Sequence, residues 1–141
     1  DVAIRGAGFL NASRLDRPEP AFANPNEPDL PNIADVGLRT SVRAEQDVSF
    51  GRLILDASIG YVGQSTLGVT APLDLRQGGY IDSSAGVRLD LGQWAISLDI
   101  DNPLDAAANR FSFGNPFSVA DGRQITPLRP RSIRIGLDAQ F

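Results

Sequence analysis

Three carboxylates crowd seven residues of this chain, Asp99, Asp101 and Asp105 in DIDNPLD. Paired carboxylates can share general acid and base work, or they can hold a divalent cation. Both chemistries need company that the sequence withholds. A calcium-binding loop of the EF-hand type carries a central Gly and a distal Glu, and neither stands here. The chain has no His and no Cys. That removes Ser–His–Asp and Cys–His catalysis, disulfides and His-ligated metals. Asp99 and Asp101 alternate along one strand face with no nucleophile beside them. We therefore expect no catalytic residue, no metal ligand and no cofactor, and read 99–105 as a strand end followed by a turn. Two further groups could meet a solute. Arg129, Arg131 and Arg134 could hold a phosphate or another anion, although ion pairing with nearby acids is the plainer reading. Phe111, Phe113 and Phe117 form an apolar cluster in a polar connection and are candidate substrate contacts.

The elements that would position these groups are strands. At 141 residues the chain fits one domain. A content of 42% hydrophobic and 21% charged residues is too apolar for disorder. No apolar run approaches the ~20 residues of a spanning helix. A net charge of −4 argues against nucleic acid as a default partner. Period-2 alternation runs through 36–45, 52–63, 80–91, 94–101 and 131–141, and more weakly through 2–13, where Gly6, Ala7 and Gly8 leave the faces undecided. Trp94, Ile96, Leu98 and Ile100 share one face; Ile133, Ile135, Leu137 and Phe141 share another. Arg39, Arg43, Asp56, Asp82, Arg88, Asp99, Arg134 and Asp138 fall on the opposite faces. Gly92-Gln93 reads as a two-residue type II′ hairpin turn, because Leu91 and Trp94 then fall on the same face. The register outward from it sets Arg88 opposite Ser97 and diagonal to Asp99, within reach of an ion pair.

Connection lengths alternate long, short, long, short, long: residues 16–35, 46–51, 64–79, 92–93 and 102–130. Long connections are unusual in a compact soluble domain. The acidic, proline-rich first one reads as a solvated outer loop. Most strand segments exceed the ~5–6 residues usual in globular proteins and match the ~9–11 that a tilted strand needs to cross a bilayer. Tyr61, Tyr80, Trp94 and Phe141 stand near strand ends, where interfacial aromatic girdles lie, although Tyr80 is on the polar face. Together these features point to an all-β, antiparallel, up-and-down transmembrane β-barrel segment of about six strands. A small soluble antiparallel β-sandwich acting as a binding module is the alternative; it too would alternate.

The second half of the chain resembles the C-terminal end of the TonB-dependent receptors. The residues that carry the likeness are SLDIDNPLDAAANRFSFGNPF (97–117) and QITPLRPRSIRIGLDAQF (124–141). Asn102-Pro103-Leu104-Asp105 stands where the family commonly has an Asn-Leu-Phe-Asp type motif, with Pro103 a departure. The resemblance implies an outer-membrane location in a Gram-negative bacterium and TonB-driven uptake of a scarce nutrient such as a ferric siderophore. It also implies that Ile133, Ile135, Leu137 and Phe141 form the strand signal read by the barrel-assembly machinery. The implied partners are outer-membrane lipid and lipopolysaccharide, the remainder of the receptor barrel, and its plug, through which TonB would act. The family's barrel has 22 strands and a plug. Six strands leave two open edges that lipid does not tolerate. Residues 1–141 are therefore expected to be the last part of a larger barrel, without a plug of their own, which would also explain why no signal peptide follows Asp1.

Overall fold

The computed structural model describes residues 1–14, 16, 19–20, 30–68, 75–110 and 126–140. Six strands carry the alternation: β1 (Val2–Leu10), β2 (Val36–Val48), β3 (Gly51–Val62), β6 (Tyr80–Asp90), β7 (Trp94–Asp101) and β8 (Ser132–Ala139). They form one sheet in the order β1-β2-β3-β6-β7-β8, every neighbour antiparallel. A second, two-stranded ribbon pairs β4 (Ser65–Thr66) with β5 (Arg76–Gln77). The protein is thus all-β and up-and-down. The sheet does not close on itself among the described residues, since β1 and β8 are its two edges.

Register follows the side-chain pattern, because a one-residue slip would exchange the faces of a whole strand. Arg88 lies opposite Ser97, and Leu91 donates its N–H to the Trp94 carbonyl at 2.8 Å. Gly92 has φ +87° and Gln93 lies outside the left-handed region, the pattern of a type II′ turn. Replacing Gly92 with Ala should cost about 1–2 kcal/mol, since an L side chain is strained at that φ. A urea titration of the two proteins would show it, and an unchanged midpoint would contradict the turn assignment.

The undecided first strand is settled by pairing. Ile4 faces Val42 and Leu10 faces Val36, so Val2, Ile4 and Leu10 join the apolar face; Arg5 and Phe9 join the polar one. Strand β2 runs three residues past the alternating stretch, to Val48, and leaves only Ser49-Phe50 as a loop. Gln46 falls on the apolar face opposite Leu53, which is why alternation fails to signal that extension.

The two faces differ in kind. One row across the sheet reads Ala44, Leu55, Val87, Leu98, Ile135. The next row on that face reads Val42, Ala57, Ala85, Ile100, Ile133. Among the described residues no second layer covers this face: Ile4 is 71% exposed, Ile133 62% and Ile135 81%. Most buried positions lie elsewhere. Thr66, Leu67, Gln77, Tyr80, Asn102 and Leu128 sit at the end of the sheet where the long connections emerge, and Ala95 is buried beside the Gly92-Gln93 turn. There residues 32–35 hydrogen-bond to the chain leaving β3, Asn32 N–H to Thr66 O at 2.7 Å among them. Packing therefore orders the loop end, while backbone hydrogen bonds hold the sheet.

Candidate functional site

The polar face is concave. A hollow of about 340 Å³ is lined both by Arg5 on edge strand β1 and by Arg134 on edge strand β8, so the sheet curls around it. Opposite charges line up across its strands. Arg43 bonds Glu45 at 2.8 Å and Asp56 at 3.2 Å; Arg52 bonds Asp47 at 2.9 Å; Arg134 approaches Asp101 at 3.6 Å. These groups are well exposed, so solvent screens each pair and it adds little to stability. Their effect is to keep the concave face wet and polar.

Arg88 does not pair with Asp99 as the hairpin register suggests. Its guanidinium crosses β7 and meets Asp138 on β8 at 2.6 Å. The way is open because the row beyond Arg88 holds Ser97 and then Gly136, both small. A side chain as long as arginine takes the partner two strands away when nothing bulky stands between.

Two of the three carboxylates of 99–105, Asp101 and Asp105, are held by arginines. Asp101 takes Arg129 at 3.2 Å as well as Arg134, and Asp105 takes Arg131 at 2.9 Å. No group of three acids gathers around a common point among the described residues. Arg129 and Arg131 are engaged at the rim by the same contacts.

Asn102, between these acids, is the most heavily bonded side chain of the region. It is 3% exposed, at φ +51°. Its Nδ2 donates to the carbonyls of Ala106 at 2.9 Å and Arg129 at 3.0 Å, and its Oδ1 accepts from the Ala106 N–H at 2.9 Å. Its own N–H reaches Ser83 O on β6 at 2.8 Å, and its carbonyl accepts the Asp105 N–H at 2.9 Å. The last bond closes a β-turn with Pro103 at its second position, where a fixed φ near −65° is favoured. Asn102 thus fastens the outgoing limb of the last long connection to its returning limb and both to the sheet. The limbs continue as a short ribbon, Arg110 N–H to Thr126 O at 2.7 Å and Leu128 N–H to Ala108 O at 2.9 Å. The sequence places an Asn here without revealing this role; a helix-incompatible Asn-Pro at a strand end is the only local signal of a turn.

Ile133, Ile135 and Leu137 lie on the apolar face of edge strand β8, opposite Ile100, Leu98 and Ile96 of β7. Phe111, Phe113, Phe117 and Phe141 fall outside the described residues. Of the strand-end aromatics, Tyr61 and Trp94 project from the apolar face at opposite ends of the sheet, each nearly half exposed. Tyr80 does not join them. It is on the concave side, 9% exposed, with the Arg110 guanidinium 6.0 Å from its ring centre.

Comparison with family models, curated proteins and solved structures finds no match. The structure defines one six-stranded antiparallel sheet, apolar and uncovered on one side among the described residues, charged and concave on the other.

Proposed function

We propose that this chain forms the C-terminal part of the barrel wall of a TonB-dependent receptor, in the outer membrane of a Gram-negative bacterium. It would contribute to energised uptake of a scarce nutrient such as a ferric siderophore. One observation carries the reading: the apolar side chains of six adjacent strands share one face and stand uncovered. Water-soluble monomers rarely expose a continuous apolar patch beyond a few hundred Å². Lipid is the solvent for which such a face is made, and a charged concave side then lines a wet lumen. A soluble sandwich would need a second sheet over Leu98, Ile133 and Ile135. The strands run 8 to 13 residues. At ~3.3 Å per residue and a tilt of ~40°, the longer ones span a hydrocarbon core ~30 Å thick.

The open edges of β1 and β8 would be paired by the rest of the receptor barrel, since unpaired backbone groups are not tolerated in lipid. In this reading the concave face turns toward the receptor's plug, through which TonB would act. The outer face meets lipid and lipopolysaccharide, and Ile133, Ile135, Leu137 and Phe141 address the assembly machinery. Catalysis, a cofactor and nucleic acid have no part in it. Fractionation of cells carrying the full gene tests the proposal. The protein should sediment with outer membrane and resist alkaline carbonate extraction. Recovery in the aqueous supernatant would overturn it.

A further inference from the structure

We infer that the concave face carries a small-molecule subsite at its long-connection end, suited to a flat aromatic carboxylate with a hydrogen-bond donor on its far edge. Rows of the concave face are charged or hydroxylated almost throughout, for example Arg5, Ser41, Ser58, Ser84, Asp101. The row nearest the long connections departs from this: Phe9, Gly37, Val62, Tyr80. It is apolar and bears no charge. Gly37 is what lets Phe9 lie flat across it, because a Cβ there would meet the Phe9 ring inside van der Waals contact. The row below reads Ala7, Arg39, Gly60, Asp82.

Together these rows line a hollow of about 350 Å³, and Arg39, Gly60 and Asp82 also line a second, polar hollow of about 340 Å³ beside it. The apolar shelf therefore opens onto a charged step. Arg39 and Asp82 are both exposed, and neither has an ion-pair partner among the described residues. Two strand spacings, ~10 Å, separate their backbones with Gly60 between; an arginine can bridge that span, as Arg88 does to Asp138, but Arg39 does not do so here and its guanidinium is left for a solute. A guanidinium of this kind binds a carboxylate through two parallel N–H donors. The ring attached to that carboxylate then rests on Phe9 and Val62, where stacking and area burial hold it. Asp82, on the far side of Gly60, accepts from a hydroxyl or amine at the other edge and repels a second anion. The hollow has the volume of one or two rings, within the usual range for small-ligand sites.

The inference deepens the transporter reading, because it names a solute class for the lumenal wall, but its test is separable. The probe is 6-hydroxy-2-naphthoate, whose fluorescence reports binding to the protein expressed from the full gene and held in detergent, with 2-naphthol as the uncharged comparison. Saturable binding of the naphthoate is expected. R39Q should weaken it at least tenfold and leave 2-naphthol unaffected. G60V should abolish both: the nearest atoms to a Cβ at Gly60 are 3.6 Å or more away, so the sheet accepts the side chain while its methyls fill the hollow. R52Q, at the opposite end of the same face, should change nothing, and matched circular dichroism should show all variants folded. Absence of saturable binding, or native affinity in G60V, overturns the subsite. Membrane partitioning without binding would sink the subsite alone; binding by a chain that stays in water without detergent would sink the transporter reading alone.

Discussion

Asn102→Ala should lower the stability of the protein by about 3–5 kcal/mol and open the base of the last long connection. The side chain makes three hydrogen bonds at a site that is 3% exposed. Truncation leaves the Ala106 N–H and the Ala106 and Arg129 carbonyls without partners, and an orphaned buried group costs ~1–3 kcal/mol. Alanine at φ +51° adds ~1 kcal/mol of strain. Two companions separate these contributions. Asn102→Gly relieves the strain but restores no bond, so it should recover only about 1 kcal/mol. Asn102→Asp keeps the acceptor for Ala106 N–H, loses both donated bonds and sets a negative oxygen against two carbonyls. It should be no better than alanine. Urea titration gives the overall loss. Trypsin cleavage after Arg110 and Arg131, the two arginines flanking the fastened limbs, gives the local opening and should accelerate by at least tenfold. Native cleavage rates in the alanine variant would mean that the limbs are held by their ribbon and ion pairs without Asn102.

That prediction could not have been made from residue order. Alternation in β6 and β7, with two residues of hairpin between them, was enough to place Arg88 against Ser97, since a period of two and a turn of fixed length leave one register. The faces of β2, β3 and β8 were legible for the same reason. Where side chains give no vote, as at Gly6, Ala7 and Gly8, pairing with β2 decides instead, and it puts Phe9 beside Gly37 on the concave side. The ribbon of β4 and β5 escaped because two residues carry no period. Arg88 found Asp138 rather than Asp99 because reach across Ser97 and Gly136 depends on three strands at once. The shelf of Phe9, Val62 and Tyr80 escaped for a related cause. Its members come from three strands, and within each strand they read as breaks in the polar face.

Leu55→Arg should destabilise the protein in lipid by about 2–4 kcal/mol, whereas Ser58→Arg, three residues along the same strand, should cost no more than about 1 kcal/mol. Leu55 stands near the middle of β3 on the apolar face, between Ala44 and Val87 in a row that continues to Leu98 and Ile135. A cationic side chain at the midplane of a barrel's lipid-facing surface carries that larger penalty. Ser58 faces the concave side, where its hydroxyl bonds Ser84 Oγ at 2.9 Å. Its loss is worth roughly one hydrogen bond. The incoming guanidinium enters a wet hollow of about 340 Å³ that already holds Asp56, Asp99 and Asp101. Urea titrations of both variants in lipid vesicles measure the difference. The pair is informative because a sheet in water would order them differently. Exchanging an exposed Leu for Arg on a solvated surface changes stability by about 0.5 kcal/mol or less, and an Arg there improves solubility. Near-native stability of Leu55→Arg would therefore place the apolar face in water and remove the physical basis for the transporter, whatever the C-terminal motifs resemble. A large loss confined to Leu55→Arg would mean that the six strands present their hydrocarbon side chains to lipid.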